Sequence, residues 1–169
     1  APSSTKNKSR KRDPEMSSTK KGNDWHFGMK AHTGTDAESG LVHTLKVTTA
    51  SVHDSQAFDD LLHGKERKVY GDKAYHNSIK ARKFRRRGMR WLVNIKAVRG
   101  RSLSAWQEAS NRKRSSVRSK VERPFLVIKH LWGYTKVRYR GLFKNGMRLF
   151  ASFMLANLYL SRKKLLAMA

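Results

Sequence analysis

Residues 68–97, KVYGDKAYHNSIKARKFRRRGMRWLVNIKA, carry the reading that decides the fold. Lys68–Gly71 is strand-like and stops abruptly at Asp72; after a short helical stretch, Arg90–Ala97 (RWLVNIKA) reads as a second strand. A helix joining two strands is a crossover connection, and crossovers pair strands in parallel. The block therefore predicts an α/β domain with a mixed sheet.

Upstream, Trp25, Phe27, Met29 and Ala31 alternate with His26, Gly28, Lys30 and His32, the period of a half-buried strand. A turn signal at 35–40 and a β-branched run, Leu41–Thr49, complete an antiparallel hairpin over 25–49. Asp54 is placed to cap a short helix, AFDDLL, whose Ala57, Phe58, Leu61 and Leu62 face the sheet. Residues 1–23 are polar and basic, and taken alone read as a tail or long loop. Downstream, a helix is expected from Arg112, with Val117, Val121, Phe125, Ile128 and Trp132 as its apolar stripe and Pro124 as a kink or restart. A last helix, about Asn145 to Leu166, is apolar on several faces, so it should be buried against the sheet or in a dimer contact. The 169 residues suit one domain, here 24–169 behind the basic segment.

Thirty-eight Lys and Arg oppose 12 Asp and Glu, a net charge of +26, and self-repulsion on that scale calls for a polyanion, most simply double-stranded DNA. Cysteine is absent, which excludes disulfides and thiolate zinc sites. The longest apolar stretch, Leu149 to Leu160, is too short for a membrane span. Between Asp72 and Glu108 there are eleven basic residues and no acid. Such cations bind phosphates without reading bases. Arg85, Arg86, Arg87, Lys136, Arg138 and Arg140 are the expected backbone contacts. Trp25, Trp106, Tyr134 and Tyr139 are candidates for stacking on bases, whereas Trp91 and Trp132, in phase with apolar neighbours, are expected in the core.

After residue 66 only Asp72, Glu108 and Glu122 are acidic. Asp72 ends a strand, where a side chain sits at a sheet rim; Glu122 shares a helix with Arg118 and Lys129, at offsets that put all three close to one face. Two carboxylates from separate elements among phosphate-binding cations suit a divalent-metal site for phosphodiester chemistry; structural ion pairs, Glu122 with Arg118 and Asp72 with Lys73 or a distant arginine, are the competing reading. The histidines form no zinc-binding spacing, and Asp36 and Glu38 fall in turn chemistry, TDAESG.

With these residues in view, the chain resembles the catalytic region of bacterial insertion-sequence transposases of the DDE type, with a ribonuclease-H-like fold. The blocks APSSTKN, KRDPEM, TKKGNDWHFGMKAHTGTDAESGLVH, TTASVHD, LLHGKE, GDKAY, VRSKVERPFLVIKHLWGYTKVRYRGLFKN and LANLYL carry the likeness in one order. The resemblance implies that Asp72 is the second catalytic aspartate and Glu122 the catalytic glutamate, with Arg118 and Lys129 its basic companions; the accessory tyrosine of that signature is Ser115 here. It further implies two Mg²⁺ (or Mn²⁺) ions, transposon-end and target DNA as partners, and a bacterial cytoplasmic, nucleoid-associated setting. The family's first aspartate lies on a strand immediately upstream of the APSSTKN block, within which this chain starts. The expectation is therefore an incomplete catalytic domain, inactive alone in strand transfer. A basic nucleic-acid-binding module without catalysis, and a scaffold dimerising through the last helix, are the alternatives.

Overall fold

The computed structural model describes residues 12–75 and 77–168; the APSSTKN block and the basic residues before Arg12 lie outside them. Strand β2, Asp24–Thr35, pairs antiparallel with β3, Val42–Thr49, from Met29↔Thr49 to Thr35↔Val42. The hairpin was thus legible. The segment read as a tail supplies one more strand, β1, Ser17–Lys21, which runs antiparallel to the first half of β2. A two-residue turn, Gly22-Asn23, makes this possible, because Gly22 accepts φ +64° without a side-chain clash.

After β3 comes helix α1, Asp54–Ala57, but its cap is His53, whose Nδ1 accepts from the Ser55 N–H at 3.2 Å. Asp54, the expected cap, instead lies 3.7 Å from Lys30 Nζ and 3.5 Å from His32 Nδ1. β4, Lys68–Gly71, and β5, Arg90–Val93, are parallel, joined by α2, Ser78–Arg86. Asn77 caps α2 by accepting from the N–H groups of Ile79 and Lys80. Phe84 of α2 stacks on Trp91, ring centroids 5.2 Å apart, and both meet Phe58, which ties the crossover helix to its sheet. The fold is thus α/β with antiparallel and parallel pairing. The two sets of strands are not hydrogen-bonded to each other: among the described residues β4 pairs only with β5, and the second half of β2 only with β3.

The helical run begins before Arg112. Helix α3, Ala105–Arg118, starts at Ser104, which forms a reciprocal capping box with Gln107. A 3₁₀ turn, Ser119–Val121, leads into α4, Glu122–Leu126, and a wide π turn, Val127–Leu131. Pro124 lacks an N–H for the carbonyl four residues back, and the backbone tightens just ahead of it instead of breaking. The π turn, closed by Trp132 N–H to Val127 O at 3.0 Å, shifts the phase of the stripe. Trp132 consequently stands 42% exposed, against the expectation of a core position.

The final helix, α5, Leu142–Leu166, lays Leu149, Phe153 and Ala156 against Leu45, Val127 and Ile128, the main core. Truncating Phe153 there to alanine would cost about 3–5 kcal/mol. Asn157 completes the docking by bonding both the N–H and C=O of Val42 at 3.0 and 2.7 Å. No helix among the described residues is long and apolar enough to cross a membrane.

Candidate active site and nucleic-acid interface

Asp72 follows the last residue of β4, and its Oδ1 accepts from the Lys73 N–H at 2.7 Å, which fixes the carboxylate at the strand end. Glu122 is the first residue of α4, within the unbroken helical run that continues from α3. Both line one cavity of about 920 Å³. Its walls are the end of β2 with its turn (33–38), β4, the loop 61–67, and the stretch 117–122. The separate elements carrying the two carboxylates therefore open onto the same cavity.

Other features of the cavity bear on its chemistry. Arg118 Nη2 lies 3.5 Å from Glu122 Oε1, a pair open to solvent that leaves Glu122 two-thirds exposed. Arg118 Nε and Thr35 Oγ1, both on cavity-lining residues, are buried with no hydrogen-bond partner among the described residues. Tyr75 packs its ring on Phe58 at 5.5 Å, and its phenol is pushed up to about 12, first by burial, then by the charges of Asp54 and Asp72, against the opposing charge of Arg118. That hydroxyl keeps its proton, within reach of the charges of Asp54 and Asp72. Sequence reasoning missed Tyr75, because a tyrosine three residues after an aspartate has no distinguishing pattern.

Two histidines, His43 and His63, line the cavity. His43 and His63 meet edge to face at 5.0 Å, and His63 Nδ1 is 3.6 Å from Glu66 Oε1. Burial and then the neighbouring His63 charge lower the pKa of His43. Among the described residues, no group of three or more His, Cys, Asp and Glu is arranged to hold a metal. Asp36 keeps to its turn: its Oδ1 accepts from the N–H groups of Glu38 and Ser39 and from the Ser39 hydroxyl.

What holds the glutamate's helix in place is a polar seam along α3. Ser115, at the accessory tyrosine position, accepts from Asn94 Nδ2 at 2.9 Å. Asn111 bonds both backbone groups of Ile95, and Arg114 Nη1 donates to Val93 O at 2.7 Å. The end of β5 is thereby tied to the run that delivers Glu122.

Lys129 does not join Arg118 in the cavity wall. It sits beyond α4 in the wide turn, exposed, with Nζ 5.6 Å from the Phe125 ring. Arg85, Arg86 and Arg87 stand exposed at the end of α2, and Lys136, Arg138 and Arg140 stand exposed between Gly133 and Gly141. None of these six is in an ion pair among the described residues. Trp25, Trp106 and Tyr139 are also exposed, whereas Trp91 is stacked inside.

Compared with models of known protein families, residues 2–158 match the one described as transposase DDE domain, and the match spans nearly the whole chain. No solved structure matches the chain.

Proposed function

The chain belongs to the transposase DDE-domain family, and we propose that Asp72 and Glu122 are carboxylate ligands in metal-dependent phosphodiester cleavage and strand transfer at transposon ends. The observation that carries this reading is their convergence on one cavity from separate elements. Carboxylate oxygens suit Mg²⁺ or Mn²⁺, and a divalent cation bound there supplies Lewis-acid charge to the reacting phosphate oxygens. Arg118 steadies Glu122 from one turn away. Tyr75, kept protonated, offers a hydrogen bond beside Asp72. Arg85, Arg86, Arg87, Lys136, Arg138 and Arg140 hold DNA phosphates, and Lys129, outside the cavity, acts on the backbone of the bound end.

Two carboxylates are short of the family's three. We place the third on an extended segment seated between the edges of β2 and β4 that are unpaired among the described residues, in the ribonuclease-H-like arrangement. Thr35 Oγ1 and Arg118 Nε, on residues lining the cavity, have no hydrogen-bond partner among the described residues. On this reading the polypeptide alone stays at background in strand transfer with Mg²⁺ or Mn²⁺. Robust activity abolished by Asp72→Ala would overturn the requirement for a third ligand while keeping the site.

The direct test is Mn²⁺ binding in the presence of a short duplex, read by electron paramagnetic resonance. Loss of an outer-shell partner alone weakens a metal site about 10–100-fold, so Asp72→Asn and Glu122→Gln should each weaken Mn²⁺ at least about tenfold. Equal Mn²⁺ binding by the double variant and the native chain would leave a basic DNA-binding module without catalysis.

A second copy of the chain is the partner we assign to the outer face of α5. There Phe143, Met147, Phe150, Met154, Leu155 and Leu158 are exposed together, and no charged residue occurs between Arg148 and Arg162. With about half of each side chain's ~200 Å² in water, this is a patch of roughly 600 Å². Two such faces reach about 1,200 Å², the lower edge of a specific interface.

A further inference from the structure

The basic segment between Gly133 and Gly141 has neither helix nor strand, yet its far end is bound on three sides. Asn145, fully buried, donates from Nδ2 to the carbonyls of Tyr139 at 2.6 Å and Gly141 at 2.8 Å, and its Oδ1 accepts from the Tyr139 N–H at 3.3 Å. The residues on either side of Arg140 are thus pinned by one side chain. From the other end of the sequence, Asp13 Oδ2 accepts the Gly141 N–H at 2.5 Å and Glu15 accepts the Leu142 N–H. Gly141 has φ +87°, a conformation other residues rarely adopt, and a Cβ there would lie 3.1 Å from Glu15 Oε2, so glycine suits both the turn and the approach of the carboxylate. The Arg148 guanidinium lies 5.0 Å from the Tyr134 ring and 5.8 Å from that of Tyr139, joining two points of the segment to α5.

The choice of partners is informative. In a chain with only 12 acidic residues and a charge of +26, two carboxylates that reach the turn next to Arg140 bond backbone N–H groups, and among the described residues neither is in an ion pair. Among the described residues no carboxylate pairs with Arg138 or Arg140, which leaves both for an external anion. We infer that Asp13, Glu15 and Asn145 are positioning residues: they clamp the 139–142 turn so that Lys136, Arg138 and Arg140 meet DNA phosphates as a preformed set. A set held in place before binding loses less conformational freedom on binding. The inference rests on the reading that these three cations contact DNA.

The experiment sets hydrogen bonding against charge. Asp13→Asn with Glu15→Gln removes two negative charges but keeps an acceptor oxygen at each position, while Asp13→Ala with Glu15→Ala removes the same charges and both acceptors. Charge alone makes both pairs bind a duplex more tightly, and equally so. The clamp makes the amide pair bind at least as tightly as the native chain and the alanine pair about tenfold more weakly. The alanine pair's salt slope should also fall toward that of the Lys136→Ala, Arg138→Ala, Arg140→Ala triple variant, and amide exchange over 133–142 should speed up without DNA. Glu15→Ala alone, which frees only the Leu142 N–H from an exposed side chain, should show an intermediate loss if the alanine pair does not fold. Equal tightening by the amide and alanine pairs, with the triple variant still weakened, would overturn the clamp and spare the DNA contacts. A triple variant that binds like the native chain would overturn those contacts and the clamp with them.

Discussion

His32 shows how one buried side chain sets a pH response. It is buried on β2, with Nε2 2.8 Å from Thr48 Oγ1 and Nδ1 facing Asp54. Burial lowers its pKa below 6.5; Asp54 pulls it back up, and Lys30 and Lys46 add to the depression. The folded state therefore favours the neutral ring. Stability from His32 is complete above the unfolded value of about 6.5 and is lost as pH falls through the lower folded value. Denaturant unfolding should show stability dropping as pH goes from about 7 to about 5, with a shallower drop in His32→Gln. Identical pH slopes for the two proteins would refute this. Tyr75 gives a parallel test at the alkaline end: an ultraviolet titration should resolve one phenol ionising at about 12, and Tyr75→Phe should remove that step.

At the scale of elements, the capping box predicts that Ser104→Ala destabilises the chain by about 1 kcal/mol, with a smaller loss in Ser104→Gly, measured by denaturant melts. That box also shows what the sequence did and did not disclose. Ser104 and Gln107 form the S-x-x-Q signature of a helix start, but the first two turns of α3 carry no apolar stripe, so periodicity placed the start at Arg112. The hairpin β2–β3 and the β4–α2–β5 crossover were legible because apolar residues recur with the right period and the breaks fall at glycine, aspartate and asparagine. β1 was not, because SSTKK has no apolar alternation and forms only by pairing with the exposed end of β2. Trp132 was misplaced because a π turn breaks the counting rule on which helical phase depends. In the site, Asp72 and Glu122 stood out through the scarcity of acids around them. The clamp did not, because Asp13 and Gly141 are 128 residues apart and their bond involves backbone that no pattern marks.

For the whole molecule, two associations should respond to salt in opposite directions. DNA binding releases counterions in proportion to the phosphates neutralised, so its affinity falls steeply as salt rises. Pairing through the outer face of α5, as proposed, would bring together two chains of charge +26, with the uncharged strip supplying attraction while the rest of each surface repels. Repulsion between exposed charges weakens as the Debye length shrinks from about 10 Å at 0.1 M to about 3 Å at 1 M salt, while apolar burial is not screened. Sedimentation of the DNA-free chain should therefore show a dimer that tightens as salt rises. Met154→Lys places a charge within the strip at a position 61% exposed, so it should abolish the dimer and leave the monomer's melting temperature nearly unchanged. DNA affinity at high salt then becomes informative. If the dimer is the species that holds two DNA ends, Met154→Lys should lose the salt-promoted capture of a second duplex while keeping the affinity for the first. A dimer that weakens with salt in step with DNA binding, or one that survives Met154→Lys, would show that the copies meet through bridging polyanion or another surface.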